Sequence, residues 1–545
     1  MRFFGMSTQL LTPIAAEAPA EREAAGAESK ARAGLAMSLA TFAMAAASGI
    51  QAVLYLGRFG TNARTDGFFV AFALYSTFGV FAQSLRVTSV PLLVEPGARL
   101  SARRFAAVLL CIALPVLLVT CPLAGPLSQL IAPGLSTAGR SVTSSALPVL
   151  GCAMVLQLWA AGGATVLAIR DRFTTIAAAY FFGALAGLIA FLALMTRTGV
   201  HTLGWSMLTM SVVTSGWMLL GVRRSGGLGP ASPGRRAPGT SVPGASAPGA
   251  SAPGGRRLSA ILRDCGMVLG RTAIYLAVNV LFVITLAFAS RSIAGGTTVL
   301  SYAYLFASYL VAGTGMALGM SNIPDMTRDA RAQLRTLVAA TVPRGFRYAM
   351  LIVAPALAGL IAAGAPLIHA LLPHSLSAAQ VGSLRTFTAL LVVWTLAALL
   401  VNFLLPVLLA LGRSRLLGAL AVPLVLIHLA VTAIAAALLG VDGAVGAFWL
   451  APTALAAVLL VTGVGRGQAG LLAREMLIDA VRFLGLAGIA FGAGWAVSTA
   501  LPSGVAQAAV AGLLGGTVYL AGLSVVARPQ LEVLLRAADL RPAAA

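Results

Sequence analysis

Apolar residues run in blocks of about twenty along nearly the whole chain, separated by short turns that carry arginine, glycine and proline. A bilayer core about 30 Å thick needs roughly 20 apolar residues per helical crossing, so each block reads as a transmembrane helix. A membrane barrel would instead alternate in and out over strands of about ten residues. Helices also satisfy their own backbone groups, as lipid requires. The pattern predicts an all-α polytopic membrane protein with about fourteen transmembrane helices. They fall at 34–57, 66–90, 104–124, 146–169, 173–195, 202–221, 267–290, 297–323, 346–371, 386–411, 415–439, 443–465, 478–499 and 504–527.

Composition removes the soluble alternative. Hydrophobic residues make up 59% of the chain and charged residues 10%, with a mean hydropathy of +0.94; soluble domains carry about a quarter charged residues. A formal charge of +22 would suggest nucleic acid in a soluble domain. Here the basic residues sit between apolar blocks and read as topology signals, so no nucleic-acid partner is expected. With the N-terminus in the cytosol, the inward loops collect Arg99, Arg103 and Arg104, then Arg170 and Arg172, seven arginines between Arg223 and Arg263, five between Arg328 and Arg347, Arg413 and Arg415, and Arg466, Arg474 and Arg482. The outward loops hold only Arg58, Arg64, Arg140, Arg197, Arg291 and Arg385. An error of one helix would swap every later loop, so this asymmetry supports the count. It predicts a multi-pass protein of the bacterial cytoplasmic (inner) membrane with both termini cytosolic. Cys111, Cys121, Cys152 and Cys265 lie in or beside apolar blocks without Cys-x-x-Cys spacing, and read as buried thiols in place of a metal or redox site.

The chain divides on composition. Residues 1–33 are polar and lack a small-residue cleavage site before the first span, which reads as a disordered cytosolic tail. A Gly/Pro/Ser-rich stretch with a repeated Ser-Ala-Pro-Gly run sets a flexible cytosolic linker at 225–257. The expected units are a six-helix bundle at 34–224, a second at 258–466, two extra transmembrane helices at 467–527, and a cytosolic tail at 528–545. The bundles read as copies. Thr65 to Pro91 aligns without a gap on Thr298 to Pro324, each ending in Val-Pro or Ile-Pro. Leu167-Ala-Ile-Arg-Asp-Arg172 echoes Leu409-Ala-Leu-Gly-Arg-Ser-Arg415. Six helices per copy is an even number, so the repeats run parallel about an axis along the membrane normal. Two such bundles around a central site suit alternating access.

Enzyme motifs are missing: the chain has no His-Glu-x-x-His, no P-loop and no Gly-x-Ser-x-Gly. The reading is a transporter without a cofactor, with coupling to the membrane potential or an ion, worth about 2.3 kcal/mol per charge per 100 mV. Ionisable groups at membrane depth are costly and mark sites. The candidates are Asp66 at the start of the second span, Arg86 toward its inner end and Arg271 one turn inside the seventh. Each has a plainer reading: a helix N-cap for Asp66, and snorkelling or topology anchoring for the arginines. Gln51, Gln157, Asn279 and Asn402 add neutral polar groups that line a pathway or bond helix to helix. His369 and His428 are titratable but lack a visible carboxylate partner. Prolines within spans, as at Pro115, Pro355, Pro366, Pro406 and Pro423, allow hinges.

The stretch Phe59-Gly-Thr-Asn-Ala-Arg-Thr-Asp-Gly-Phe-Phe-Val-Ala-Phe72 resembles the segment joining the first two helices of the MurJ/MviN family. Its members are lipid II flippases of the multidrug/oligosaccharidyl-lipid/polysaccharide exporter superfamily, and act in peptidoglycan biosynthesis. Ala132-Pro-Gly134, Arg170-Asp-Arg-Phe173, Met316-Ala-Leu-Gly319 with Ile323-Pro324, and Asn402-Phe-Leu-Leu-Pro406 follow in order. The likeness spreads over spans one to twelve, and a count of fourteen fits this family better than its twelve-helix relatives.

The resemblance implies a cationic central cavity for a pyrophosphate headgroup, and there the chain departs. The family's first-helix arginines fall on the apolar run Phe42 to Val53, where Gln51 is the strongly polar residue. Its second-helix arginine pair is replaced around Phe78 and Gly79, and its Phe-Ala-Glu-Gly reads Phe81-Ala-Gln-Ser84. Its eighth-helix Arg and Glu fall near Leu305 and Ser308. Asp66 alone carries over. A desolvated pyrophosphate demands strong, preferably bidentate donors. Three readings stay open: a lipid-linked cell-envelope precursor or related amphiphile, with Arg86 and Arg271 as relocated cations; a small hydrophobic or cationic compound; or a non-transporting membrane scaffold. The partners implied are the bilayer and a membrane lipid or lipid-linked substrate.

Overall fold

Apolar blocks of this length can bury their backbone polarity only as helices, and the computed structural model is helical throughout what it describes. It describes residues 40, 43–44, 46–94, 100–170, 172–227, 254–291, 294–311, 314, 334–371, 376–410, 412–501 and 504–528. The expected tails, most of the 225–257 linker and Met316 to Pro324 fall outside the described residues, as do the side chains of Arg86 and His369.

The helices are α1 (46–59), α2 (Ala63–Val94), α3 (Ala102–Thr120), α4 (Ala124–Ile131), α5 (Thr137–Ile169), α6 (Phe173–Leu194), α7 (Thr202–Arg224), α8 (Gly254–Ala289), α9 (Gly296–Val311), α10 (Leu334–Leu371), α11 (Ala378–Ala410), α12 (Ser414–Ala447), α13 (Leu450–Val464), α14 (Arg466–Ser498) and α15 (Val505–Val526). No strand occurs among the described residues. Eleven described helices are long and apolar enough to cross a membrane. The other three predicted spans are represented by α1, by the 16 residues of α9 and by the 15 of α13. The short α4 was not expected.

Local chemistry sets the helix ends. Asn62 caps α2: its side-chain carbonyl accepts from the N–H groups of Arg64 and Thr65, while the Thr65 hydroxyl accepts from the Asn62 N–H at 2.8 Å. Ser101 and Ser136 cap α3 and α5 in the same way. The echoed motifs close α5 and α11 alike, with the Arg172 N–H on the Leu167 carbonyl and the Arg413 N–H on the Leu408 carbonyl, both at 3.0 Å. Gly440, at φ 65° and ψ −146°, breaks the α12 segment where a turn between two spans was expected.

Packing joins the helices in two sets. In the first, α5 lies against α2, α3 and α7, and α6 against α7; in the second, α12 lies against α8, and α11 against α9, α10 and α13. Close backbone approach holds the first set. A Cβ on Gly67 would sit 2.1 Å from the Gly139 carbonyl oxygen, so α2 and α5 cross with no side chain between them. The Thr143 hydroxyl ties that crossing by donating to the Gly67 carbonyl at 2.8 Å. α14 and α15 pair with each other and dock on α10, where Arg347 reaches Asp479 at 2.8 Å and Glu475 at 2.9 Å. α2 spans the two sets, touching α8 and α9.

Candidate functional site

The seam where α2 meets α8 and α9 gathers the polar groups that bind one set to the other. Asp66 sits one turn into α2, and its own helix has no use for it because Asn62 already caps that terminus. The carboxylate instead reaches across the seam. Its Oδ2 accepts the Gly295 N–H at 2.6 Å, and its Oδ1 accepts the Thr298 N–H at 2.8 Å and the Thr298 hydroxyl at 2.7 Å. Asp66 therefore caps α9 from the other set, at 4% exposure. A carboxylate facing the free N–H groups and positive end of a helix is favourably placed, and charge-assisted bonds of this kind are stronger than neutral ones.

The sequence alignment expected between the two sets accords with α9 needing this help. At an offset of 233, Asn62 corresponds to Gly295, which has no side chain with which to cap its own helix. Asp66 supplies what Gly295 lacks. The same offset pairs Thr65 with Thr298 and Phe69 with Tyr302, and these equivalent residues touch each other. The Thr298 and Thr65 hydroxyls are hydrogen bonded at 3.2 Å across a separation of 233 residues, and the Phe69 and Tyr302 rings lie 5.1 Å apart. Contacts of this kind are what a repeat related by an axis between α2 and α9 would produce.

Further contacts close this end. The Thr61 hydroxyl donates to Gln380 Oε1 at 2.7 Å, and the Tyr302 hydroxyl donates to the Ala52 carbonyl at 2.8 Å. Gly134, in the turn between α4 and α5, lies so near α8 that a Cβ would sit 2.5 Å from the Ser290 carbonyl oxygen. Beneath them is an aromatic layer of Tyr55, Phe68, Phe69 and Phe72.

The other candidates divide. Asn279 faces the seam, and the Thr77 hydroxyl of α2 lies 3.5 Å from its backbone carbonyl, while its own amide donates to the Tyr275 carbonyl at 2.9 Å. Gln51 on α1 is buried, and among the described residues neither its Oε1 nor the Tyr275 hydroxyl of α8 has a hydrogen-bond partner. Arg271 lies partly buried on α8. Asn402 donates within its own helix, to the Ala398 carbonyl at 2.8 Å. Gln157 donates to the Ser211 hydroxyl at 3.1 Å, joining α5 to α7. His428 is fully buried, with Nε2 at 3.0 Å from the Leu281 carbonyl and 3.1 Å from the Thr285 hydroxyl. The last two join helices within one set. The arrangement holds no metal cluster among the described residues. Its chemistry is that of a polar clasp above an aromatic layer.

Sequence reasoning placed Asp66 on the site but missed the cradle that receives it. Two of the three bonds come from backbone N–H groups of Gly295 and Thr298, which no side-chain pattern marks, though the repeat alignment sets Gly295 opposite a capping asparagine.

No family model and no curated protein matches the sequence. Solved structures do match its fold. The lipid II flippase MurJ in an inward closed conformation aligns with a TM-score of 0.63 at 14% identity, over 91% of this chain and 99% of that one. An inward-facing multidrug resistance MATE transporter of the MOP superfamily aligns at 0.54 and 13%, over 80% and 99%. An outward-facing MATE transporter aligns at 0.52 and 15%, over 82% and 96%. The chain has the helical membrane fold shared by the MurJ flippase and the MATE transporters.

Proposed function

We propose that the chain is a transporter, not an enzyme, that moves a lipid-linked cell-envelope precursor or related amphiphile from the inner to the outer leaflet by alternating access. The observation that carries this reading is the Asp66 clasp on α9. At one end it joins the two helix sets through polar bonds that water can replace when they part, beside the apolar contacts of α2 with α8 and α9, as a gate that must open requires. The six-helix units 34–224 and 258–466 would rock about an axis between α2 and α9, with 225–257 as the cytosolic linker between them. The inner-membrane orientation read from the arginine asymmetry puts the clasp at the outer end and both termini inside. Coverage of 91% on the flippase against 80% on a MATE transporter accords with the two extra helices 467–527.

Gln51 and the Tyr275 hydroxyl, the former through an Oε1 buried without a partner among the described residues, are with Asn279 the polar groups offered to a substrate along the seam. Arg86 and Arg271 are the cations available to an anionic headgroup. Loading would draw on the membrane potential or an ion. A second reading, export of a small hydrophobic or cationic compound, is favoured by one specific feature: Phe78, Gly79, Leu305 and Ser308 stand where a headgroup-binding cavity would carry charge.

The test is complementation. The chain is expressed in bacteria depleted of their own lipid II flippase, and growth is followed with outer-leaflet lipid II. Rescue that is lost on Arg271→Ala supports the amphiphile reading. Membrane-inserted, folded protein without rescue rejects lipid II and favours the small-compound reading.

A further inference from the structure

The end of the seam opposite Asp66 carries a second polar junction, and it runs in the reverse sense. Arg104, in the first turn of α3, donates through Nη2 to Oδ2 of Asp264 on α8, forming an ion pair between the two helix sets. The Asp264 side chain is 6% exposed and that of Arg104 is 42% exposed. A carboxylate buried to this degree needs its cation, because removing the partner leaves an uncompensated charge away from water. Around the pair lies an apolar cluster drawn from both sets: Phe81 and Leu85 of α2, Phe105 and Val108 of α3, and Cys265 and Val268 of α8. Both junctions are made at once in this structure, so the seam is closed at each end.

We propose that Arg104 and Asp264 form a second latch, which closes the cleft at the end opposite Asp66 and must part whenever that end opens. Each end is then held by one aspartate, contributed from opposite sides. Asp66 reaches from the first set onto α9, and Asp264 presents to Arg104 from the second. The pair suits a latch because both partners regain full hydration when the sets separate, Arg104 already being nearly half in water. This inference rests on the alternating-access reading, and it adds that opening at one end depends on the Asp264 pair while opening at the other depends on Asp66.

Hydrogen–deuterium exchange on the full chain in lipid nanodiscs tests it without knowledge of the substrate. Four proteins are compared: the unaltered chain, Asp264→Asn, the charge swap Arg104→Asp with Asp264→Arg, and Asp66→Asn. Expected are several-fold faster exchange in residues 81–92 and 264–279 for Asp264→Asn, slower exchange in 295–302, and return toward the unaltered rate in the charge swap. Asp66→Asn should speed exchange in 295–302 and slow it in 81–92, since opening one end requires the other to stay shut.

Unchanged exchange in Asp264→Asn overturns the latch. Faster exchange throughout the chain, unrescued by the swap, marks the pair as a structural strut and also overturns it. If Asp66→Asn opens its own end with no effect on 81–92, the second latch fails while the transport reading stands. If Asp66→Asn changes neither end, the alternating-access reading fails with it.

Discussion

Asp66 is the residue on which the account turns, and its environment fixes what a substitution should do. Replacing the carboxylate by an amide keeps the shape but removes the charge, and turns one of the two acceptor oxygens into an NH2 donor that cannot accept a backbone N–H. Hydrogen bonds to charged groups are worth roughly 1.5–3 kcal/mol net. Asp66→Asn should therefore weaken the clasped state by about 2 kcal/mol, roughly thirtyfold in the closed-to-open ratio. Labelling of a cysteine introduced at Thr298 by a membrane-impermeant maleimide should rise accordingly, and an unchanged labelling rate would remove Asp66 from the gate. Gly67 makes a separate claim about packing. Since a Cβ there would fall 2.1 Å from the Gly139 carbonyl oxygen, Gly67→Ala must push α2 off α5. It should cost about 1–3 kcal/mol, read as a lower melting temperature in detergent. Asp66 was legible in the sequence because an acid at the mouth of an apolar helix is conspicuous. Its partners were not, because the sequence offered it as a substrate-cavity candidate or as the N-cap of its own helix, and only the fold shows that Asn62 holds that position. His428 and Gln157 show the limit in the other direction. A polar side chain in an apolar block looks the same in sequence whether it faces a cleft or, as here, bonds one helix of a set to another.

At the scale of elements, the blocks were legible because lipid enforces helices of a minimum length, and periodicity has little left to decide. What could not be read is how far helices run past the hydrocarbon. α8 begins at Gly254 and α14 at Arg466, each about a dozen residues before its predicted span. Those polar extensions carry Asp264 on α8 and Glu475 on α14, both in long-range ion pairs, with Asp479 just inside the predicted span. Composition marks such residues as loop, whereas tertiary contacts hold them as helix. The α14–α15 pair is attached to α10 at Arg347, whose side chain is 27% exposed against 7% for Asp479. Arg347→Ala leaves Asp479 buried without its cation, a change that typically costs about 3 kcal/mol in such pairs. Limited proteolysis between residues 466 and 526 should accelerate in that variant, with the α2–α5 core unaffected. Equal protection would show that the hairpin is held by apolar packing alone.

At the scale of the whole molecule, the residues that the sequence aligns at an offset of 233 meet across the seam: Thr65 touches Thr298 and Phe69 touches Tyr302, as two copies flanking a common axis would require. At the clasp Asn62 caps its own helix, Gly295 cannot cap α9, and the acid that does so stands on α2. This arrangement makes the two sets dependent on each other at the clasp without fusing them. Substrate chemistry is written more faintly, since the positions that would hold a charged headgroup are apolar or small and the buried polar groups on offer are Gln51 and Tyr275. The central claim is that the two sets part at the Asp66 end. Its most direct test is the distance between spin labels at Arg64→Cys and Ser377→Cys, both exposed positions on opposite sides of that end, with the four native cysteines replaced by serine and the protein held in lipid. The account predicts two distance populations, the longer one growing when Asp66→Asn is added; a single distance, unchanged by Asp66→Asn, would contradict it.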